Sequence, residues 1–195
     1  KVYGNAIVYD NAKVYEDARI YGNAKVCHNA AVCGDAVVYC DAKVYGNAIV
    51  YDNAKVYEDA RIYGNAKVCH NAAVCGDAVV YCDAKVYGNA IVYDNAKVYE
   101  DAEVFGNAEV FGNAEIRGNA EIASNSDYIV FKNWWSSGRY FTWTKSNNMW
   151  KVGCFHGTGK ELIEKAYKDS ELSGREYERV VKYVESIIAD NGKDK

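Results

Sequence analysis

The sequence predicts a mainly β protein, in which a long coiled repeat of very short strands is followed by a small α+β unit. Three observations carry this prediction. A six-residue period runs through residues 1–126 of the 195-residue chain, and such a period cannot keep one face of a 3.6-residue helix apolar. Proline is absent, which fits a backbone whose N–H groups nearly all join ladders or helices. The period then stops, and all four tryptophans follow it.

The repeat is a hexapeptide of the form x-[VI]-[YCF]-x-[ND]-A, as in residues 1–6. Its second position is Val or Ile and its fifth is Asn or Asp in all 21 units, and its sixth is Ala in all but the last unit. A short strand followed by a corner fits this pattern. We expect Val or Ile to point inward, its two neighbours to point outward, and Ala to fit the tight corner. The Asn or Asp is expected to take the left-handed backbone of the turn.

This pattern resembles that of the hexapeptide-repeat proteins, which form left-handed parallel β-helices. The resemblance rests on an aliphatic residue followed four positions later by a small one, as in Val2 with Ala6 and Val8 with Ala12, throughout residues 1–126. In that family three hexapeptides make one triangular coil. The resemblance therefore implies about seven triangular coils and a prism roughly 34 Å long, because stacked strands lie about 4.8 Å apart.

A longer repeat is superimposed on the hexapeptides. Residues 1–42 recur without a change at 43–84, and residues 85–102 begin a third copy. Such identity indicates either recent duplication or deliberate construction. Because each copy is seven hexapeptides long, it advances the chain by two coils and one third of a turn, so equivalent residues fall on different faces.

Residues 127–195 form the second predicted domain, after the β-solenoid domain of residues 1–126. Short strands are predicted at 128–131, 139–145 and 149–155, separated by Ser-, Gly- and Asn-rich turns. Two helices follow, since Thr158-x-x-Glu161 and Ser173-x-x-Glu176 both have the form of a capping box. The tail is thus predicted as a small α+β unit of three strands and two helices.

Around residues 152–158 the tail resembles the small C-terminal domain of bacterial and prophage hexapeptide-repeat proteins of unassigned function. The end of a solenoid exposes a strand edge that can template polymerisation. We therefore expect the tail to act as a cap and as a recognition element.

Composition limits the classes of partner. The formal net charge is −4, which does not fit a strongly basic nucleic-acid-binding protein. No apolar run is long enough to cross a bilayer as a helix, so no membrane span is expected. Seven cysteines, an odd number, and no signal-peptide pattern at Lys1 favour a reducing, cytoplasmic setting. No nucleic-acid or membrane partner is expected.

Stacking of the predicted coils places no outward Cys of the strands directly over another. Cys33 and Cys69 share a column but lie two coils apart, about 9–10 Å, which is too far for a disulfide. Free thiols are expected. Cys27, His28 and Cys33, repeated at Cys69, His70 and Cys75, contain metal-ligand residue types. They are expected to diverge around a corner, so neither a metal site nor any other cofactor is predicted.

Enzymatic functions enter only through the resemblance. Hexapeptide-repeat acyltransferases generally use a His near a protruding loop, and the carbonic anhydrases of this fold need three converging His residues. Here the hexapeptides are uninterrupted, and the three His residues include His156, outside the repeat. Cys154 and His156 are expected to alternate on one strand and point the same way, without an identifiable third partner. No catalytic residue is predicted.

Aromatic side chains are the main candidates for binding. Of the 21 outward third positions, 13 are Tyr and two are Phe, so the faces should carry aromatic ladders that stabilise the sheets and offer contact surfaces. Two Trp residues at a predicted turn are expected either to wedge into the junction between cap and solenoid or to form a binding surface. The candidate binding residues are Tyr3, Tyr21, Tyr39, Tyr57, Tyr9, Tyr45, Tyr63, Tyr81, Trp134 and Trp135.

The expected function is therefore that of a non-enzymatic solenoid, a rigid repeat spacer with a capped end that mediates self-assembly or partner binding. A homo-oligomer is expected, formed through side-by-side faces or through the edge of the first coil. Two alternatives stay open. The Tyr ladders could bind a repetitive ligand such as a glycan, or the protein could be a phage-encoded inhibitor of a host protein, which the tail's resemblance alone suggests.

Overall fold

The structure is a computed structural model, and it describes residues 1–135 and 138–191. Within these residues the chain forms a parallel β-solenoid of about six turns, a short 3-10 turn at Asn125–Asp127, a four-stranded antiparallel sheet and two helices. The mainly β class and the order of the elements confirm the prediction. The left-handed sense of the coil stays a prediction from the resemblance.

Two-residue strands build the solenoid. They form three parallel sheets of seven, seven and six described strands, and Val2 adds a bridge to Ile20. Each strand pairs with the third strand after it along the chain, as Ile62 does with Val80, so three hexapeptides make one coil. The strands are β1 Ile7–Val8, β2 Lys13–Val14, β3 Arg19–Ile20, β4 Lys25–Val26, β5 Ala31–Val32, β6 Val37–Val38, β7 Lys43–Val44, β8 Ile49–Val50, β9 Lys55–Val56, β10 Arg61–Ile62, β11 Lys67–Val68, β12 Ala73–Val74, β13 Val79–Val80, β14 Lys85–Val86, β15 Ile91–Val92, β16 Lys97–Val98, β17 Glu103–Val104, β18 Glu109–Val110, β19 Glu115–Ile116 and β20 Glu121–Ile122.

The second and sixth residues of the hexapeptide form the interior. From Ala18 to Ile122, every Val, Ile and Ala at these positions is fully buried. The inward direction of Val and Ile and the corner position of Ala are thereby confirmed. Each buried β-branched side chain stabilises the coil by about 1.5–3 kcal/mol before the entropy of ordering is subtracted.

The left-handed backbone lies at the fourth residue of the hexapeptide, so its expected place at the fifth was wrong. Ten corners hold a non-glycine residue there, with φ between 56° and 61°. Cys40 and Glu58 are two of them, and each such residue costs about 1–2 kcal/mol. The fifth residue instead stacks its side chain between coils. Asn47 Nδ2 donates to Asn65 Oδ1 at 3.1 Å, and Asn65 Nδ2 donates to Asp83 Oδ1 at 3.0 Å.

The tail contains four strands where three were predicted. They are β21 Tyr128–Lys132, β22 Tyr140–Thr144, β23 Met149–Val152 and β24 Phe155–Gly157, in an antiparallel sheet of that order. The predicted third strand is divided by a turn at Gly153, whose φ of 55° is left-handed. Glycine adopts this conformation without the steric cost that other residues meet, so the chain can reverse there.

Two helices follow, α1 at Gly159–Asp169 and α2 at Glu171–Asn191. The capping box of α1 is confirmed, because the Thr158 hydroxyl accepts from Glu161 N and the Glu161 carboxylate accepts from Thr158 N. The box predicted at Ser173 was wrong. Helix α2 already begins before Ser173, and the hydroxyl of Ser170, the single residue between the helices, accepts from Ser173 N at 3.1 Å.

The tail sheet lies between the last coil and the helices, and alternate residues face opposite layers. Phe141, Trp143, Trp150 and Val152 pack with Leu162, Val181 and Val184 of the helices. The alternate residues of the sheet face the solenoid, and Tyr128 and Val130 of β21 contact the solenoid core. Thr142 and Lys151 contact Glu115 of the last coil. One sheet therefore covers the end of the solenoid with one face and supports the helices with the other.

Side chains of the 3-10 turn and of the tail accept hydrogen bonds from the last coil. In inner coils the N–H of the first hexapeptide residue donates to an Ala carbonyl of the next coil, as Lys97 N does to Ala114 O at 2.9 Å. In the last coil the corresponding N–H groups have no further coil to bond. They donate instead to side-chain oxygens: Glu109 N to Asn125 Oδ1 at 2.7 Å, Glu115 N to Thr142 Oγ1 at 3.0 Å, and Glu121 N to Ser146 Oγ at 2.7 Å.

Candidate functional site

Stacked Tyr rings run along the faces of the solenoid. Tyr21, Tyr39 and Tyr57 stack with ring centroids 5.0 Å apart. On another face the rings of Tyr45, Tyr63, Tyr81 and Tyr99 stack at 4.8–4.9 Å, with interplanar angles of 7–14°. This spacing equals the distance between stacked strands, so the ladders follow directly from the period of the repeat. Each stacked pair adds roughly 0.2–1 kcal/mol to the sheet.

The stacking decides what these ladders present to a partner. Because neighbouring rings are nearly parallel, each ring covers much of the next ring's face, and the exposed parts are ring edges and hydroxyl groups. Burial is the main cause that raises the pKa of Tyr81 to about 12, and the neighbouring Tyr63 adds to it. The hydroxyl row therefore stays protonated at neutral pH and can donate hydrogen bonds. Tyr3, Tyr15 and Tyr9, at the first coil, are the more open Tyr rings of the ladders, at 51%, 47% and 44% exposure.

Cysteines interrupt the ladders. The Tyr51 hydroxyl hydrogen-bonds the Cys69 thiol, which raises the pKa of Tyr51 to about 12, and Tyr57 hydrogen-bonds Cys75 in the same way. Burial raises the pKa of both thiols. All seven cysteines of the chain are free thiols in the structure. Cys69 and Cys75 are therefore protonated, poorly reactive members of the outer columns.

The junction between solenoid and tail contains two groups of charged residues. In the first, the Glu100 carboxylate binds Arg117 Nε at 3.2 Å and Gly118 N at 2.8 Å. His156 lies beside Gly118, and burial, together with the charge of Arg117, lowers the pKa of this His. His156 is therefore neutral at pH 7, and it packs the sheet against the last corner.

The second group surrounds Glu115 at the floor of a cleft of about 380 Å³. Its carboxylate contacts Lys151 Nζ at 3.0 Å, Lys97 Nζ at 3.3 Å and the Tyr99 hydroxyl at 3.3 Å. Burial acts to raise the pKa of Glu115, but the hydrogen bond and charge of Lys151 and the charge of Lys97 outweigh it and hold the pKa below its usual value. The carboxylate is ionised and links two coils to the tail.

Comparison with known proteins supports the repeat assignment. A family model described as YdcK Beta solenoid repeat matches residues 42–58 and 84–100, within the stacked hexapeptides. The chain is a hexapeptide-repeat β-solenoid protein. No curated protein sequence matches it.

Solved structures resemble this β-solenoid protein only distantly. One is a mutant perosamine N-acetyltransferase from Caulobacter crescentus in complex with CoA and GDP-perosamine, at 17% identity and a TM-score of 0.31. That match covers 60% of this chain and 52% of the enzyme, so the chain spans about half the enzyme's length. Another is a Bacillus cereus protein whose description as an acetyltransferase is provisional, at 15% identity and a TM-score of 0.28, covering 91% of this chain and 99% of that one. Both TM-scores are below 0.5, so neither match supports a function.

The Cys and His residues of the β-solenoid protein that suggested metal or nucleophile chemistry do not form such a site among the described residues. His28 Nδ1 contacts Cys27 Sγ at 3.2 Å, so these two converge where divergence was expected, while Cys33 lies in the next sheet. Among the described residues no group of three His, Cys, Asp or Glu side chains could hold a metal ion. Cys154 lies in the turn before β24, beside α1, whereas His156 faces the solenoid. Their expected common direction on one strand was therefore wrong.

The two Trp residues do lie at a turn, as predicted, and differ from one another. Trp134 is 84% exposed. Trp135 is half-buried and its ring centroid lies 6.1 Å from that of Phe141, within the core of the tail. Trp135 therefore packs in the tail itself, which leaves Trp134 as the available contact surface. Within the described residues, no helix is long and apolar enough to cross a membrane.

Proposed function

We propose that the protein is a non-enzymatic structural and interaction protein. In this function the solenoid is a rigid spacer that holds partners, or copies of itself, at a fixed distance. The tail closes one end of the rod and offers a recognition surface. The observation that carries the proposal is the capping of the last coil, where the N–H groups of Glu109, Glu115 and Glu121, one on each face, bond to side chains of the 3-10 turn that ends the repeat and of the tail.

Capping matters because an unpaired parallel edge accepts further strands. A solenoid with open N–H and C=O groups at its end is a template for end-to-end growth. Here one side-chain acceptor serves each of the three sheets, and the Tyr128 hydroxyl also donates to Glu109 O at 2.9 Å. A rod closed in this way keeps its length at that end.

Rigidity follows from repeated contacts between coils. The Tyr and Asn ladders run in parallel with the backbone ladders, and lysines pair with glutamates of the next coil, as Lys85 does with Glu103 at 2.7 Å. Within residues 1–126, corners of equal length join the strands and leave no projecting loop that could cover a substrate. These features support a spacer rather than an enzyme.

The cap is tested by Thr142→Val together with Ser146→Ala in the full chain. Both substitutions remove an oxygen that accepts from the last coil, and an unsatisfied buried N–H costs about 1–3 kcal/mol. We expect the free energy of unfolding to fall by about 1–3 kcal/mol, mainly through the part-buried N–H of Glu115, because the bond from Glu121 N to Ser146 is exposed to solvent. We also expect the amides of Glu115 and Glu121 to lose protection from hydrogen exchange, and light scattering to show a mass that rises with concentration above that of the wild type.

The matched control is Thr142→Ser with Ser146→Thr, which keeps both hydroxyl groups. It should retain the wild-type amide protection and mass. If the first variant behaves like this control in all three measurements, the tail does not cap the solenoid through these contacts, and the proposed closed rod is refuted.

A further inference from the structure

A cleft at the junction combines several donors with an excess of positive charge. It lies between the last two coils and the tail sheet and is lined by Lys97, Arg139 and Lys151, with Glu115 as the one acidic residue among the described residues that line it. Three basic groups and one carboxylate therefore meet in a protein whose formal net charge is −4. Such a local reversal of charge indicates an anionic ligand rather than general attraction of polyanions.

The carboxylate of Glu115 does not neutralise all three of these cations. Lys151 is the most buried of them, at 10% side-chain exposure, and it is held by Glu115 and by the carbonyl of Gly153. The ammonium group of Lys97 pairs with Glu115 through one of its N–H groups, and the Lys97 side chain is 47% exposed. The carboxylate of Asp94, which precedes Asn95 in the chain, accepts from Gly112 N at 3.1 Å.

Arg139 is the free cation of the cleft within the described part of the chain. Its side chain lies over Gly153, where a Cβ would approach Arg139 Cδ to 3.2 Å. Its guanidinium has no hydrogen-bond or ion-pair partner in residues 1–135 and 138–191. A guanidinium that lines the same cleft as two ammonium groups and has no carboxylate of its own among the described residues can recognise two oxygens of one oxyanion.

Two amides on the opposite wall are further donors. Many of the stacked Asn side chains bond between coils, as Asn71 does with Asn89 at 3.1 Å. Asn95 and Asn113 are stacked in the same way and both line the cleft, yet among the described residues neither side chain makes such a bond. Their amide groups are therefore left as donors at the cleft.

We infer that this cleft binds a small phosphate-bearing molecule, with Arg139 and Lys97 on the phosphate oxygens and the amides of Asn95 and Asn113 completing the donor set. Lys151 supplies charge from beneath. A phosphate dianion matches three cations and one carboxylate, and the cleft has room for a further substituent on the phosphate. This inference does not depend on the spacer function.

The test is calorimetric titration of the full chain at low ionic strength with inorganic phosphate, with glycerol phosphate as a monoester and with acetate. We expect saturable binding of one phosphate per chain, and binding of acetate at least tenfold weaker. Tighter binding of the monoester than of inorganic phosphate would assign the site to phosphorylated small molecules, and the reverse order to the free ion. Either order of affinities supports a phosphate-binding site in the cleft.

Two variants keep the test specific. Arg139→Gln and Asn113→Asp should each weaken phosphate binding at least tenfold, and neither removes a side-chain hydrogen bond or ion pair made among the described residues, so both should fold. Arg19→Gln, an exposed substitution near the other end of the rod, is the matched control and should bind as the wild type does. The inference is overturned if phosphate does not saturate, if acetate binds equally well, or if the two cleft variants bind like the Arg19→Gln control.

Discussion

Val80→Asp is expected to prevent the middle of the solenoid from folding. Val80 is fully buried, and its partners in the same sheet, Ile62 and Val98, are fully buried as well. The interior around it consists of Val, Ile and Ala, so a carboxylate there would find neither a counter-charge nor a hydrogen-bond donor. Burial of such a group costs several kcal/mol, which approaches the whole stability of an ordinary domain. Circular dichroism during urea unfolding measures the loss.

Two neighbouring substitutions show whether burial is the cause. Val80→Ala removes the same packing without adding charge and should lower the free energy of unfolding by about 2–3 kcal/mol. Val79→Asp places the same charge on the outward side of the same strand, where it is only half-buried, and should have a much smaller effect. Equal losses from Val79→Asp and Val80→Asp would contradict the assigned direction of the strand.

Glu115→Ala is expected to lower the free energy of unfolding by about 3 kcal/mol, because it leaves the buried ammonium of Lys151 without its carboxylate. Removal of one partner from a buried ion pair costs about 3–5 kcal/mol. The lower end applies because Lys151 keeps the carbonyl of Gly153. Glu103→Ala is the matched control. Glu103 holds the same position in a neighbouring column, but Lys85 is 48% exposed, so the control should cost no more than about 1 kcal/mol. Equal costs would refute the role of Glu115 at the junction.

The lowered pKa of Glu115 predicts that the free energy of unfolding depends on pH. The pKa of Glu115 is lower in the folded protein than in the unfolded chain, so the stability it contributes is complete above the unfolded value of about 4.3. It is lost as the pH falls through the folded pKa, because the carboxylate must then be protonated. Urea unfolding between pH 6 and pH 2 should therefore show a steeper loss for the wild type than for Glu115→Gln. Parallel curves for the two proteins would contradict this prediction.

Periodicity was enough to predict the solenoid, because each hexapeptide contributes one inward side chain and one corner, and 21 nearly identical units repeat the same information. It did not locate the left-handed residue. Asn and Asp tolerate that backbone as isolated residues, but in the solenoid their side chains stack between coils, and the left-handed conformation falls on the preceding residue. That choice depends on contacts between successive coils, which the preference of a single residue does not contain.

The junction was beyond sequence reasoning for a related reason. The 18-residue coil places Lys97 beside Glu115, but no spacing rule brings Lys151 of the tail sheet to them. Glu103 and Glu115 each pair with a lysine of the preceding coil. The alternation of residues along the tail strands could be recognised in the sequence. The turn at Gly153, however, divides one predicted strand into two, so Cys154 lies in the turn and His156 lies in β24.

The central claim, that the repeat is a rigid spacer whose length is set by its number of coils, is tested most directly by deletion of residues 43–84. These residues duplicate 1–42, so the new joint between Ala42 and Lys85 has the same sequence on both sides as the natural joint between Ala84 and Lys85. The tail and the last coils are unchanged. Small-angle X-ray scattering should show a folded rod whose maximum dimension is shorter by about 11 Å, since two and one third coils are removed at about 4.8 Å each. An unchanged dimension, or a collapsed or unfolded particle, would contradict the claim.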